Sequence, residues 1–434
     1  MTLEIRQWSA LSQDERSALL TRPAVADDAT LRSQVAEILR AVRERGDTAL
    51  KELGARYDGV RLGEFRVGPR ELNAAEKLIG ADAVLAIDTA IANVRRFHQA
   101  QLVPPVSIET APGVRCERVS RPLDSVGLYV PAGTAPLPSA AIMLAVPAGI
   151  AGCPLRVICT PPRPDGSADP AVVVAAQRAG VREIYKIGGA QAIAALAYGT
   201  ASVPAVAKIF GPGNAWVTAA KTAVSSEAGG PAIDMPAGPS EVLVIADGGA
   251  NPAFVAADLL SQAEHGPDSQ VVLLTTDRVL AEQVQLEIAD QLAHLSRIRT
   301  AAEALGHARL IVVSDLEEAI EISNRYAPEH LLLQCEGARE LVADIRNAGS
   351  VFVGAFTPES AGDYCSGTNH VLPTYGYARN YSGLGVDQFM RQMTIQEASR
   401  EGLAALAPTI TTLASLEGLD AHARAVTLRL ERDA

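Results

Sequence analysis

The spacing of apolar positions changes near residue 125, and this change divides the chain into two kinds of region. Before it, apolar residues recur every three or four positions, which predicts helices with one buried face. Ser12 and Glu15 have the spacing of a capping box, Gly46 ends another helix, and the pattern continues over 71–101. We therefore predict that roughly the first hundred residues are helical. The clearest of these apolar faces consists of Leu31, Val35, Ile38, Leu39 and Val42.

Beyond residue 125, short β-branched runs alternate with alanine-rich helical stretches. The strands predicted in the first series are 125–130, 155–160, 183–187 and 206–210. The helices predicted in that series are 138–150, 170–179, 190–198 and 214–226. A second series of strands, again with helices between them, is predicted at 241–246, 270–275, 309–313 and 350–353. Alternation of this kind predicts an α/β protein with two open, mostly parallel sheets of about four strands each.

A Pro/Gly cluster at 228–239 separates the two series and predicts a domain boundary. Because the early helices need a sheet to cover, and the second series lacks helices on one face, we expect residues 25–125 to pack with 240–375. The predicted units are an N-terminal helical segment (1–24), a discontinuous first α/β domain (25–125 plus 240–375), a nested second α/β domain (126–239) and a helical tail (376–434).

The tail follows a stretch rich in glycine, tyrosine and asparagine at 375–385, so it can reach away from the body. Helices are predicted over 391–406 and 411–432. A tail that folds back on its own body is the alternative, and the sequence does not decide between the two.

Composition narrows the functional class. The 434 residues are 48% hydrophobic and 20% charged, which is typical of a folded protein with large cores. There is no run of about 18 apolar residues and no signal-peptide pattern, so we expect no membrane span and a cytoplasmic location. A net charge of -12 argues against a nucleic-acid partner. The five cysteines show no CxxC spacing, so any metal must be held by nitrogen and oxygen.

Three short stretches contain residues suited to chemistry. Gln262 and His265 share one face of a helix that Gly266 ends, and both could bind one ion, although such a pair is more often a polar helix end. Pro328 places Glu329 and His330 at a loop junction. There, an imidazole can accept a proton from an alcohol and a carboxylate can activate water.

A third stretch, Gly-Pro-Gly-Asn at 211–214, lies between a predicted strand and a predicted helix. That position suits a backbone cradle for phosphates at a helix N-terminus. The chain lacks the G-x-G-x-x-G fingerprint, so the stretch does not predict an ordinary dinucleotide site.

Taken in chain order, several segments resemble those of histidinol dehydrogenases, and the resemblance runs from about Val35 to the last helix. These segments are Gly-Pro-Gly-Asn at 211–214, Pro-Ala-Gly-Pro-Ser-Glu at 236–241, Asp-Leu-Leu-Ser-Gln-Ala-Glu-His-Gly at 258–266, Tyr-Ala-Pro-Glu-His-Leu at 326–331, Gly-Asp-Tyr-Cys-Ser-Gly-Thr-Asn-His at 362–370 and Glu-Gly-Leu-Asp-Ala-His at 417–422.

The resemblance implies a zinc- and NAD-dependent four-electron oxidation of L-histidinol to L-histidine through bound L-histidinal. The implied metal ligands are Gln262, His265, Asp363 and His422. The implied catalytic residues are His330, as the main base, and Glu329, as the water activator. The implied NAD contacts are Tyr129, Gln191 and Asn214. Substrate contacts are implied for Ser240, Gln262, His265, His330, Asp363, His370, Glu417 and His422.

The resemblance also implies two domains similar to incomplete Rossmann folds and a homodimer in which each tail completes the partner's metal shell. Three other functions remain open from the residues. One is a related zinc and NAD dehydrogenase that acts on another amino alcohol or a small diol. The others are a zinc hydrolase, with Glu329 activating a metal-bound water, and a non-catalytic ligand-binding module.

Overall fold

The computed structural model describes residues 3–22, 29–132, 135–235 and 238–431, and its architecture confirms the predicted α/β class. Predicted segments that fall on 1–2, 23–28, 133–134, 236–237 and 432–434 lie outside the described residues. The N-terminal elements are β1 (Ile5–Gln7), α1 (Gln13–Leu20), α2 (Ala29–Arg45), α3 (Asp47–Leu53), α4 (Pro69–Ile79) and α5 (Ala81–Gln99). A π-helical turn, Gly54–Asp58, follows α3.

The N-terminal segment is helical only in part. The predicted capping box is present at α1, where the Ser12 hydroxyl accepts from the Glu15 amide and the Glu15 carboxylate accepts from the Ser12 amide. The prediction of helix throughout 1–24 is wrong at β1, which pairs in parallel with Leu310–Val312. A strand this short has no readable period, and its partner lies far away in the sequence.

The nested sheet is formed by the first α/β series, which starts after two long strands, β2 (Val106–Ala111) and β3 (Val114–Pro122). Its elements are β4 (Ser125–Tyr129), α6 (Pro138–Ala151), β5 (Leu155–Thr160), α7 (Pro170–Arg178), β6 (Glu183–Lys186), α8 (Gly189–Tyr198), β7 (Lys208–Phe210), α9 (Ala215–Ser225) and β8 (Ala232–Ile233). The strand order is β6-β5-β4-β7-β8, all parallel. Helices α6 and α7 cover one face, and α8 and α9 cover the other.

The early helices form a second layer around the nested sheet. Helix α2 packs on α8 and α9, α4 packs on α7, and α5 packs on α6. Helix α5 also contacts 365–371, because Asn93 donates to the Cys365 carbonyl oxygen at 2.9 Å. The packing of 25–125 with 240–375 and the division into domains stay predictions. Helix α6 needs the cover of α5 on its outer face because it is apolar on nearly every side. Among the described helices, none has the length and hydropathy to cross a membrane.

The outer sheet is formed by the second series together with β1. Its further elements are β9 (Glu241–Ala246), α10 (Pro252–Ala263), β10 (Gln270–Thr275), α11 (Arg278–Leu292), α12 (Ile298–Leu305), β11 (Arg309–Val312), α13 (Leu316–Tyr326), β12 (His330–Gln334), α14 (Ala338–Leu341), β13 (Ser350–Val353) and α15 (Glu359–Tyr364). The order is β1-β11-β10-β9-β12-β13, all parallel. Helices α10–α12 cover one face and α13 covers the other, so the early helices are not needed here.

All eight predicted strands occur, but the sequence pattern missed β12, which carries His330 at its start. The run His-Leu-Leu-Leu-Gln is fully buried, so it shows no alternation of polar and apolar residues. Short 3-10 turns complete the described secondary structure; they are Trp8–Ala10, Val342–Asp344, Tyr377–Arg379 and Val386–Phe389.

The end of the chain forms an arm, which we define as β2, β3, β14 (Met390–Ala398), α16 (Arg400–Leu416) and α17 (Asp420–Glu431). Strand β14 pairs antiparallel with all of β3, and the two helices pack on each other as a hairpin. The helical tail is confirmed, but the predicted helix over 391–406 is wrong before Arg400. Residues 391–398 are exposed on nearly every side, and only the long pairing with β3 makes them a strand.

Candidate active site

Parallel pairing of β9 and β12 brings two chemically distinctive segments to the amino edge of the outer sheet. His330 lies opposite Val242 in the register, so Glu329 and His330 lie beside Ser240 and Glu241. Helix α10 follows β9 and runs back to this same edge, where it ends with Gln262 in its last turn. These residues therefore meet although about 20 to 90 positions separate them in the sequence, as right-handed β-α-β connections allow.

Helix α15 lies along α10 and supplies the carboxylates of the cluster. The Glu359 amide donates to Asp258 Oδ1 at 3.3 Å, and the Ser261 hydroxyl donates to Glu359 Oε2 at 3.4 Å. The close packing of α15 against Phe352 explains why a glycine precedes Asp363. A side chain at Gly362 would meet the Phe352 ring at 2.6 Å.

Gln262 is fully buried, and its amide is oriented by acceptors. Glu359 Oε1 and the Glu241 carbonyl oxygen each lie 3.2 Å from the position of the amide nitrogen, which donates to both. This orientation turns the amide oxygen away from those groups. An oxygen held in this way can serve as a metal ligand.

His330 is buried, and a backbone contact assigns its tautomer. Nδ1 lies 3.2 Å from both the Glu241 carbonyl oxygen and the Gln262 amide group; because the carbonyl oxygen can only accept, we assign the proton to Nδ1 as the donor. Nε2 then carries the lone pair. Among the described residues it has no hydrogen-bond partner, and it lies 3.8 Å from Asp363 Oδ1. Burial lowers the pKa of His330 to about 4, so the ring is a neutral base at neutral pH.

Glu329 lies beside His330 but is held by a separate bond. Its Oε2 accepts from the Glu241 amide at 2.9 Å and lies 3.8 Å from His330 Nδ1. Burial raises the pKa of Glu329 well above its usual value, the Glu241 amide opposes this shift, and the charges of Glu241 and Asp363 add to it. A carboxyl group with a raised pKa is a stronger proton acceptor, as water activation requires.

Three side chains could hold a metal ion beside these residues. One ligand atom each from His265, Glu359 and Asp363 lies within 4.8 Å of the others, and His265 Nε2 is 3.9 Å from Asp363 Oδ2. Ligands that share one zinc ion lie about 3 to 4 Å apart. The Nδ1 of His265 donates to the Ser261 carbonyl oxygen at 2.8 Å, which leaves Nε2 free to bind metal. The nitrogen and oxygen donors therefore suit zinc in kind, and the ligand atoms farthest apart would have to move slightly closer to share one ion.

Glu359 is the functional candidate that the sequence analysis missed. It is fully buried, it contacts the Gln262 amide, and it belongs to the possible metal-binding group. A signal was available, because Glu359 and Asp363 are four residues apart and share one face of α15.

The structure brings together most of the predicted site residues but not those of the tail. The Nδ1 of His370 donates to the Asp363 carbonyl oxygen at 2.9 Å, and burial lowers the pKa of His370. Ser240 is half-buried next to β9. In contrast, Glu417 and His422 are exposed on the α16–α17 hairpin, and His422 is not in the metal-binding group found among the described residues.

The predicted NAD contacts lie at the carboxyl edge of the nested sheet. Strands β4 and β7 are neighbours there, but the helices that follow them, α6 and α9, cover opposite faces of the sheet. This divergence creates a crevice, which is where open α/β sheets usually bind ligands. Tyr129 ends β4, and its hydroxyl accepts from the Gly189 amide at 3.0 Å. Gln191 donates to Asp58 Oδ2 at 3.3 Å in the first part of α8.

Asn214 corrects one detail of the predicted phosphate cradle. Its side chain caps α9 by accepting from the amides of Trp216 and Val217, so these two amides are already satisfied. The Gly211 amide in the turn before them donates to Asp234 Oδ2 at 2.8 Å, so it is not free to bind phosphate either. Gly211 in that turn has a φ of +118°, and a Cβ there would lie 2.2 Å from the Tyr129 carbonyl oxygen, so only glycine fits.

Comparison with known proteins supports one family. The sequence model of the histidinol dehydrogenase family matches residues 21–430. The histidinol dehydrogenase of Xanthomonas oryzae pv. oryzae is 56% identical over 428 residues, which cover 99% of each chain. That of Salmonella typhimurium is 55% identical over 423 residues, which cover 98% of this chain and 96% of the relative.

The fold agrees with a solved structure of the same family. The crystal structure of histidinol dehydrogenase from Elizabethkingia anophelis superposes with a TM-score of 0.95 at 45% identity, and the match covers 99% of this chain and 98% of that one. A family match over nearly the whole length, at this identity, leaves no large region unaccounted for. The chain belongs to the histidinol dehydrogenase family.

Proposed function

We propose that this chain oxidises L-histidinol to L-histidine through bound L-histidinal, the last steps of histidine biosynthesis, with two NAD molecules as electron acceptors. The observation that carries the proposal, beside family membership, is the buried neutral imidazole of His330. Its free Nε2 faces Asp363, a member of the possible metal-binding group. A base and a cation site at one point are what alcohol oxidation by hydride transfer requires.

We infer that zinc is held by Gln262, His265 and Asp363, with His422 of the partner as the fourth ligand. Bound zinc would supply a Lewis acid that orients the amino alcohol and lowers the pKa of its hydroxyl group. NAD would bind at the carboxyl edge of the nested sheet, near Tyr129, Gln191 and Asn214, and accept each hydride. The grouping of His265 with Asp363 supports the zinc assignment, and the close approach of Gly211 to the Tyr129 carbonyl oxygen supports the cofactor assignment.

The chain's own residues account for the proton transfers. In the first oxidation, His330 Nε2 takes the hydroxyl proton while hydride leaves the carbinol carbon, which gives the aldehyde. Glu329 then takes a proton from the water that adds to the aldehyde carbon, while His330 returns its proton to the aldehyde oxygen, which gives the hydrate and a neutral His330. In the second oxidation, His330 takes a proton from the hydrate while a second hydride leaves, which gives the acid. Ser240 and His370 would orient the substrate together with Glu417 of the partner subunit.

The arm supports a homodimer with shared sites. Its helical hairpin exposes apolar side chains that a monomer would leave in water, among them Leu413, Leu416 and Leu419. The hairpin also carries Glu417 and His422, which the site of a single chain lacks. Exchange of such an element between identical protomers is a common route to a dimer.

The proposed activity is tested by measuring NADH formation at 340 nm with histidinol. We expect two NADH molecules for each histidinol consumed, with histidine as the product, because two hydrides leave the same carbon in turn. Amino alcohols without the imidazole ring are expected to react at least tenfold more slowly. An analogue that lacks a polar group leaves the matching buried groups of the site unpaired, which weakens binding of the transition state. Equal rates with other amino alcohols would favour the related dehydrogenase, and hydrolysis without NADH would favour a hydrolase.

Removal of one metal ligand tests the zinc site. His265→Ala should reduce bound zinc from one per site to near zero and abolish histidinol oxidation, because three or four ligands hold the ion. His294→Ala is the matched control, since His294 also bonds through Nδ1 to the carbonyl oxygen four residues earlier but is exposed elsewhere. Metal analysis after zinc reconstitution measures both variants. Absence of stoichiometric zinc in the wild type would reject the site.

Substitution of the two acid–base residues tests their roles. His330→Asn should slow both oxidations by about 10²- to 10⁴-fold, the usual effect of a lost general base. Glu329→Gln should slow histidinal oxidation more than histidinol oxidation, because only the aldehyde half needs water. Steady-state rates on the two substrates measure the difference, with zinc content as the control. Wild-type turnover in both variants would contradict the assignment.

Mixing two inactive variants tests whether the site is shared. With exchanged hairpins, a His265→Ala protomer and a His422→Ala protomer form a dimer in which one site has both defects and the other has none. Random pairing should then restore activity to about a quarter of the wild-type sites.

If each hairpin served its own chain, every site would keep one defect and activity would not return. Two affinity tags can show that heterodimers have formed. If they have formed and activity is still absent, the shared site is rejected. The same two variants, mixed under conditions in which subunits do not exchange, give the background activity.

A further inference from the structure

A single buried arginine joins the two segments that carry the proposed catalytic residues. The Arg22 guanidinium donates to both carboxylate oxygens of Glu241, at 2.6 and 2.7 Å, in a bidentate pair. It also donates to the carbonyl oxygens of Tyr326 and Ala327, at 2.8 and 3.3 Å. Arg22 therefore holds the start of β9 and the turn that leads into β12 at the same time.

The turn held by Arg22 has an unusual backbone. Ala327 has a φ of +55°, in the left-handed region that residues with a Cβ rarely adopt. It directly precedes Pro328 and the Glu329–His330 pair. A conformation of this kind persists only where the surroundings fix it. Here the Ala327 amide donates to the Ser323 carbonyl oxygen at 2.7 Å where α13 ends, and Arg22 binds the two carbonyl oxygens of the turn. The Tyr326 ring, 3.8 Å from the guanidinium carbon, packs against the same group.

The backbone of Glu241 in turn positions both catalytic side chains. Its amide donates to Glu329 Oε2 at 2.9 Å, and its carbonyl oxygen accepts from His330 Nδ1 at 3.2 Å. The second bond decides which ring nitrogen of His330 carries the lone pair. One residue thus orients the water activator and the base through its backbone, while its own side chain accepts hydrogen bonds from Arg22 and Tyr326.

The Arg22–Glu241 pair is costly to bury, which points to a role in geometry. The two side chains are only 8% and 0% exposed. Buried ion pairs are often no better for stability than apolar residues of the same volume, so stability alone does not explain this one. The Tyr326 hydroxyl adds a third donor to the Glu241 carboxylate, at 3.3 Å.

We propose that Arg22 and Glu241 are positioning residues that hold Glu329 and His330 in their reactive geometry through the backbone of Glu241 and the 326–327 turn. This inference rests on the proposed function for its catalytic consequence. The structural part of the inference, that Arg22 clamps the start of β9 to the 326–327 turn, does not depend on any substrate.

Arg22→Lys is the principal test, since a lysine keeps the charge but cannot bind the carboxylate and both carbonyl groups together. We expect kcat for histidinol oxidation to fall about 10- to 100-fold, the usual cost of a small misplacement, with KM and zinc content within twofold of wild type. Hydrogen exchange should accelerate in peptides that cover 238–246 and 326–334 and stay unchanged elsewhere.

Arg16→Lys is the matched control. Arg16 is also an N-terminal arginine that donates to a carbonyl oxygen, that of Trp8, and packs on an aromatic ring, but it is not in contact with Glu241. It should leave kcat and the exchange of both peptides unchanged. Glu241→Gln, which keeps every backbone group, should reproduce the defect of Arg22→Lys.

Wild-type kcat and exchange in both folded variants would overturn the proposal. So would failure of both variants to fold, since the pair would then be a folding requirement, and so would a loss of activity that follows loss of zinc. The exchange measurement uses no substrate. If the wild type did not oxidise histidinol, the proposed function would fail while local exchange would still report on the clamp.

Discussion

The parallel pairing of β9 with β12 is the constraint on which the site depends. The register that sets His330 opposite Val242 brings Glu329 beside the Glu241 amide and His330 beside the Glu241 carbonyl. A slip of one residue would turn the buried leucines of β12 to the other face and remove both contacts. The apolar cores on the two sides of the outer sheet therefore fix the geometry of two polar side chains at its edge.

The two sheets use opposite edges for the two parts of the proposed chemistry. The candidate cofactor residues lie at the carboxyl edge of the nested sheet, as is usual in open α/β folds. The acid–base pair lies at the amino edge of the outer sheet, where α10 returns with Gln262. Residues 363–370 connect the two parts, because Asn369 next to His370 donates to the Met143 carbonyl oxygen in α6 at 2.8 Å.

Sequence reasoning found what local pattern encodes and missed what distant contacts encode. Helix spacing related Gln262 to His265, although α10 ends at Ala263 and the predicted helix is wrong at His265, which lies in the turn that follows. Pro328 marked the junction before Glu329. The strand at Met390–Ala398 and the strand at Ile5–Gln7 exist through partners far away in the chain, so their own residues carry no clear period. Arg22 gave no signal at all, since a lone arginine before a proline is ordinary until Glu241 is known to lie against it.

The electrostatics of the site explain why its donors suit a cation. Burial is the first cause that raises the pKa values of Glu329 and Glu359, and the charge of Asp363 raises both further. Three carboxyl groups thus surround one neutral imidazole with few opposite charges nearby, an arrangement that is unfavourable when all are ionised. A divalent ion between His265, Asp363 and the Gln262 oxygen would offset this repulsion and leave His330 free. The His265 side chain is the most exposed member of this group, so a further ligand could reach such an ion from its side.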